Sequence, residues 1–251
     1  MSETAIDRIL PLPAEEGIGD RQIAELYSDG AGDPWLRVNF VSSIDGAATR
    51  QGLSGGLSDD ADHRVFDILR RLCDVVLVGA GTVRVEGYGP MRVDALSQRT
   101  RRDSGLTAHP VFAIVSASLD LDPESPIFRD APERPIIVTT ELSRPDTREA
   151  LAEVADVMVC GEVRVEPALL LDKLTARGLT RIHCEGGPHL FGDLIATGVV
   201  DELCLTVGST LEAGAASRIA AGAAPILPLG MRLAHVLRAG DTLLLRYVKR
   251  A

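Results

Sequence analysis

The chain has 251 residues, of which 45% are hydrophobic and 25% charged, the mix of an ordinary globular protein. A chain of this length buries about 70% of the surface its unfolded form exposes, so it needs no disulfide or metal staple. Its formal charge of −10 argues against general nucleic-acid binding, no apolar run is long enough to span a membrane, and the acidic N-terminus does not read as a signal peptide. A cytoplasmic location is the resulting expectation.

Residues 1–34 are polar and mixed, with one short helical stretch at Arg21 to Tyr27 and a loop composition from Ser28 to Pro34. They read as an extension packed on one domain, 35–251. From Trp35 onward, strands and helices alternate. Leu36–Ser42 reads as a strand, Ala61–Leu72 as an amphipathic helix and Val75–Val78 as a fully apolar strand. Further strands are read at Val111–Val115, Pro135–Thr139, Val157–Val159, Arg181–Cys184 and Glu202–Val207. Helices are read at Arg148–Ala155, Ala168–Ala176 and His189–Ala196. Residues 94–109 are polar and basic and read as a surface loop. Arg232–Val236 and Leu243–Val248 read as strands joined by a hairpin turn at Ala239-Gly240-Asp241. Short apolar runs alternating with helices predict a mostly parallel α/β sheet covered on both faces, with an antiparallel hairpin at one edge.

Open α/β sheets bind ligands beyond the carboxyl ends of their strands, and three segments stand there. Ser42-Ser43-Ile44-Asp45-Gly46 offers hydroxyls and a carboxylate, though Asp-Gly is equally an ordinary turn. Gly79-Ala80-Gly81-Thr82 lets backbone N–H groups approach a phosphate or amide, and is equally a steric strand-to-helix turn. Glu185-Gly186-Gly187-Pro188-His189-Leu190 sets Pro188 at the start of a helix whose free N–H groups face a Gly-Gly turn. The catalytic signatures of serine hydrolases, zinc peptidases, P-loop enzymes and zinc deaminases are absent from the sequence. The scattered cysteines Cys73, Cys160, Cys184 and Cys204 read as small core hydrophobes, and His63, His183 and His235 as packing or surface residues. Hydride transfer suits such a set, because the cofactor carries the reactivity.

Taken together and in order, VNFVSSIDG, CDVVLVGAGTV, IHCEGGPHLFGDLI and GVVDELCLTV resemble the pyrimidine reductase of bacterial riboflavin biosynthesis, from about Trp35 to the C-terminus. The resemblance implies a dihydrofolate-reductase-like three-layer fold, a homodimer, NADPH as cofactor, and 5-amino-6-(5-phosphoribosylamino)uracil as the substrate whose ribose becomes ribityl. It implies cofactor contacts at Val41, Gly56, Thr82, Glu86 and the turn from Gly187 through Pro188, His189 and Leu190 to Asp193; Gly79, Gly81 and Gly186 join them as turn glycines that open backbone N–H groups. It implies substrate contacts at Ser54, Arg70 and Glu185 and sets Asp45 beside the reacting centre. Ser43 and Arg92 are further substrate candidates, Arg92 as a second guanidinium for the ribose phosphate, and Asp45, Glu185 and Asn39 are the catalytic candidates. Arg84 and Ser116 are the donors considered for a cofactor 2′-phosphate. The sequence departs from the family at Asn39, where several members carry a lysine able to give a proton, and at Glu86 and the 87–92 stretch. Bacterial members often carry a deaminase domain ahead of the reductase, and the 34-residue extension is too short to be one. A pteridine or dihydrofolate reductase and a non-catalytic NADP-binding protein are the competing readings.

Overall fold

The computed structural model describes residues 4–28, 33–225 and 227–250. Its elements run, in chain order, β1 (Asp7–Leu10), α1 (Asp20–Ser28), β2 (Trp35–Ser43), α2 (Asp60–Arg71), β3 (Val75–Gly79) and α3 (Ala80–Glu86). There follow α4 (Ala95–Asp103), β4 (Val111–Val115), α5 (Pro126–Arg129), β5 (Ile136–Thr139), α6 (Pro145–Val154), β6 (Asp156–Val159) and α7 (Pro167–Thr175). The chain closes with β7 (Arg181–Cys184), α8 (Pro188–Ala196), β8 (Glu202–Gly208), β9 (Met231–Ala239) and β10 (Thr242–Lys249). Part of the predicted 28–34 loop, residues 29–32, lies outside the described residues.

All ten strands join one sheet in the order β1-β9-β10-β8-β2-β7-β3-β4-β5-β6. From β8 to β6 every pairing is parallel, whereas β10 pairs antiparallel with β8 and β9, and β1 antiparallel with β9. The sheet is therefore the predicted mostly parallel one with an antiparallel edge. Along β3, Val75 and Leu77 pack into a core with α7 and α8, and Val76 and Val78 into another with α3, α5 and α6. A strand apolar on both faces needs such double cover, which explains its unbroken hydrophobic run. A third core lies under α1 and α2, where Ile6, Ile23, Tyr27, Val65 and Leu69 meet Cys204, Leu237 and Leu244. All four cysteines are free and buried.

The N-terminal segment is woven into this third core. β1 forms the sheet's outer edge, and the carbonyls of Leu26 and Tyr27 accept the guanidiniums of Arg246 and Arg37. Both arginines also converge on the fully buried Glu202, with Arg37 Nε at 2.6 Å and Arg246 Nη2 at 3.0 Å, and Trp35 Nε1 adds a third donor at 2.8 Å. Burial pushes the Glu202 carboxyl up, but the two arginines outweigh it and hold the group at about 2.

One prediction is corrected. Residues 94–109 are not simply a surface loop, because α4 forms over Ala95–Asp103, capped by the Asp94 carboxylate on the Ser97 N–H at 2.9 Å. Its Arg101 is fully buried and donates to the carbonyls of Arg70, Cys73 and Thr107 at 2.9, 2.6 and 2.9 Å. The helix docks through Arg101, which serves carbonyls at the end of α2 and after α4, and through Ser97, which accepts Arg71 Nε at 3.1 Å, so its sequence carries no apolar face to betray it.

Candidate active site

Two clefts open at the carboxyl ends of the parallel strands. The first, of about 550 Å³, lies between α2, the 48–58 turns, α3 and the end of β7. The second, of about 450 Å³, lies beyond α3 between the ends of β3 and β4, the segment before α7, and the start of α8. They share Gly81, Thr82, Gly187 and Pro188, so the two spaces meet over the first turn of α8.

That seam is built by close backbone approach. The Gly79 N–H donates to the Gly186 carbonyl at 2.8 Å, which joins the turn after β3 to the turn after β7. Gly186 has φ of +93°, and a Cβ there would lie 2.8 Å from the Phe40 ring. A Cβ on Gly187 would lie 2.4 Å from Thr82 Oγ1. A Cβ at either position would crowd these neighbours, and its absence leaves the α8 N–H groups open towards both clefts.

The first cleft's wall is dominated by a buried charged cluster. Glu185 takes a bidentate pair from Arg70, Nε to Oε1 at 2.6 Å and Nη2 to Oε2 at 2.8 Å. The Tyr88 hydroxyl adds a bond to Oε2 at 2.8 Å, and the Arg70 guanidinium lies 4.3 Å over the Phe66 ring. Burial pushes the Glu185 carboxyl up, but Arg70 and Tyr88 outweigh it and hold it below the usual carboxylate range. Burial and the neighbouring carboxylate push the Tyr88 phenol well up. Arg70 keeps Nη1 without a bond among the described residues. The cluster thus presents a rigid, charge-balanced donor edge to whatever fills the cleft.

Several predicted site residues are brought together here. Asn39, Val41, Ser54, Arg70, Gly81, Thr82, Glu86, Glu185, Gly187 and Pro188 all line the first cleft, and Gly79, His189 and Leu190 join the second. Glu86 accepts the Ser54 N–H at 2.8 Å, which ties α3 to the 52–56 turn. Gly56 packs over the Arg50 side chain, and Gly186 serves the seam from beneath instead of lining it.

Other predicted residues turn elsewhere. Asp45 lines neither cleft: its carboxylate accepts Ser43 Oγ at 2.5 Å and the N–H groups of Ala213 and Glu212 at 2.7 and 3.2 Å. The Ser43 hydroxyl and those two N–H groups hold the Asp45 carboxyl at about 2. Ser43 is buried and accepts the Ala47 N–H, so the Ser-x-Asp-Gly turn anchors the 209–214 segment where substrate and catalytic contacts were expected. Arg92 donates to the Asp130 carbonyl and does not line the clefts. Arg84 reaches the Asp120 carbonyl at 2.8 Å, and the buried Ser116 hydroxyl accepts the Leu119 N–H at 3.0 Å.

Sequence reasoning missed Asp62, Phe66 and Tyr88 in the first cleft and Arg164 in the second. Asp62, Phe66 and Arg70 are spaced four apart on α2, one face of a helix, so the stripe was open to discovery once Arg70 was singled out. Tyr88 and Arg164 reach the site from loops, and no local pattern marks them.

Several known proteins are similar to this chain. A protein of Archaeoglobus fulgidus named 2,5-diamino-6-ribosylamino-4(3H)-pyrimidinone 5′-phosphate reductase is 28% identical over 182 residues, 72% of this chain and 83% of its own. One of the same name from Methanothermobacter thermautotrophicus is 29% identical over 74% of this chain and 82% of its own. The crystal structure of a pyrimidine reductase-like protein from Corynebacterium diphtheriae superposes with a TM-score of 0.82 at 26% identity, covering 91% of this chain and 99% of that one. The yeast riboflavin biosynthesis reductase Rib7 shares the fold, with a TM-score of 0.64 at 18% identity over 92% of this chain and 97% of its own. Residues 34–245 match the RibD C-terminal domain, and the chain belongs to that family of riboflavin-biosynthesis reductases.

Proposed function

We propose that the protein uses NADPH to reduce the ribosylamino group of a pyrimidine ribosylamine 5′-phosphate to its ribitylamino form. The observation that carries this reading is the pair of clefts meeting over the α8 N-terminus beside a rigid donor wall. Gly187 and Pro188, where the helix N–H groups favour an anion, would hold the pyrophosphate of a dinucleotide. Val115, Ala117, Val165 and Pro167 would take its adenosine end, and Arg164 would supply a cation for a 2′-phosphate. Arg164 makes no side-chain hydrogen bond or ion pair to the described residues, so its guanidinium is available.

Bound in this way, the reduced nicotinamide supplies the hydride; the chain's own residues place the acceptor. Arg70 offers Nη1 to the substrate, and Glu185 and Tyr88 fix the plane of that guanidinium. Glu185, ionised and fully bonded, positions Arg70 and has no proton to give at neutral pH. With Arg92 engaged elsewhere, Arg70 and His63 are the basic side chains that line the cleft. The archaeal relatives are named for the diamino pyrimidinone, so that compound stands beside the aminouracil as substrate.

A homodimer fits the antiparallel end of the sheet. Leu205, Leu245 and Val236 are register partners on β8, β10 and β9, flanked by Val207 and Leu243 on one side and Tyr247 and Leu233 on the other. Leu233 is exposed and the others are only half-buried, an apolar face suited to a second copy.

The deciding test follows loss of reduced-nicotinamide absorbance with both pyrimidine substrates, with dihydrofolate in parallel and NADPH compared with NADH. Turnover of a pyrimidine ribosylamine with NADPH preferred is the expected outcome, with sedimentation giving a dimer. Turnover of dihydrofolate alone overturns the assignment.

A further inference from the structure

Reducing a carbon–nitrogen double bond takes a proton as well as a hydride, and Asn39 on the cleft wall has an amide that cannot transfer one. Six ionisable side chains line the first cleft: Asp62, His63, Arg70, Glu86, Tyr88 and Glu185. Arg70 and Tyr88 hold their protons too firmly, Tyr88 pushed up by burial and the Glu185 carboxylate, and Arg70 by that carboxylate against its burial. Glu185 is kept ionised by the same contact. Glu86 is occupied by the Ser54 N–H, and His63 is exposed at the rim.

Asp62 differs from all of these. It is 5% exposed and lines the cleft, and no arginine or lysine pairs with it among the described residues. The Ser58 hydroxyl lies 2.6 Å from Oδ2, and Thr206 on β8 adds a second hydroxyl contact. Burial without a cation raises its pKa, against the pull of those hydroxyls and of His63; Asp59, at the N-cap, pushes it the same way as burial. Asp62 also stands in line with Phe66 and Arg70 on α2, about 12 Å of helix from one end of that row to the other. A substrate gripped at Arg70 and lying along the helix over Phe66 therefore reaches Asp62.

We propose that Asp62 is the proton donor of the reduction. The inference rests on the function proposed above. As the ribose C1′ of the open-chain imine accepts a hydride from the reduced nicotinamide, the C=N π pair moves onto nitrogen. The Asp62 O–H bond breaks and its proton goes to that nitrogen, leaving a secondary amine, oxidised nicotinamide and the Asp62 carboxylate. The carboxylate recovers a proton from solvent when product leaves, so one NADPH and one proton are consumed per turnover.

A donor works only in its protonated form, so kcat falls as pH rises through the Asp62 pKa. The test measures kcat against pH for the full chain and for Asp62→Asn, with NADPH affinity read independently by nucleotide fluorescence. The expected result is an alkaline limb in the wild type that Asp62→Asn abolishes, with kcat lowered about 100-fold and NADPH affinity unchanged. Ser58→Ala, which removes a hydroxyl that favours the carboxylate, moves the limb to higher pH. A variant Asp62→Asn that keeps wild-type kcat and the same limb overturns Asp62 and leaves the reductase reading standing. Parallel loss of rate and NADPH affinity assigns Asp62 to the architecture and overturns it equally. Wild-type protein that binds NADPH but reduces neither pyrimidine overturns both readings, and is told apart by its own arm of the experiment.

Discussion

At Glu185 both carboxylate oxygens are spoken for, by Arg70 twice and by Tyr88 once, in a site its side chain leaves only 1% exposed. Removing one member of such a pair strands the other, whereas replacing both by apolar groups removes two desolvation costs at once. Glu185→Gln is therefore expected to cost about 3 kcal/mol in urea melts and to raise KM, because Arg70 loses the partner that sets its plane. The double variant Arg70→Met with Glu185→Gln should recover part of that stability while substrate binding stays weak. Equal stability of Glu185→Gln and wild type would contradict the buried-pair account. The same residue shows the limit of reading chemistry from a motif. Glu185 was identifiable from its place before a Gly-Gly turn, yet its ionisation state depends chiefly on Arg70, which lies 115 residues away. Asp45 shows the converse, since a carboxylate in a promising turn spends its bonds on N–H groups of residues 212 and 213.

Among the elements, the turns after β3 and β7 act as one unit through the Gly79–Gly186 bond and the approach of Thr82 to Gly187. A methyl group at Gly187 would meet Thr82 Oγ1 at 2.4 Å. Gly187→Ala is expected to cost about 1–3 kcal/mol by overpacking and to lower NADPH affinity. Thr82→Ala in the same chain should restore much of the stability, read by thermal melting; no rescue would mean that the contact is not the source of the cost. Both turns were legible in the sequence because glycines and a helix-starting proline leave local marks. The parallel strands were legible because double burial demands continuous apolar runs. β1 was not, being a four-residue edge strand whose burial comes from Ile6 beside it. Nor was α4, held by Arg101 and Ser97 and not by an apolar stripe. The site residues contributed by neighbouring loops, Tyr88 and Arg164, become visible only when the sheet order is known.

For the molecule as a whole, two buried histidines set the acid limit of stability. Burial lowers His183 to about 4, with neither ring nitrogen hydrogen-bonded. Burial likewise lowers His235 to about 3, against the edge of Tyr27. An unfolded histidine titrates near 6.5, so between that pH and about 4 the unfolded chain binds protons the folded chain refuses. Folding stability is therefore fully present above pH 6.5 and is lost as pH falls, with a slope approaching two protons, or about 2.7 kcal/mol per pH unit. Glu202, held at about 2, adds its own loss lower down, as pH falls from the ordinary glutamate range through that value. Urea melts across this range check the slope, and a flat profile from pH 7 to 4.5 would contradict it. His183→Gln should flatten the profile.

The outermost strand has a consequence for how the polypeptide tolerates editing. β1 covers the hydrogen-bonding edge of β9, through Asp7 opposite Arg238 and Leu10 opposite Val236. Without it, a nine-residue strand would present a row of unpaired amides and carbonyls to any passing chain. Trimming the leader back to the first residues of the family match would thus remove an edge guard, and the cost would be paid in precipitation and not in turnover. Fusions and tags are better joined at the other terminus, beyond the last strand of the hairpin.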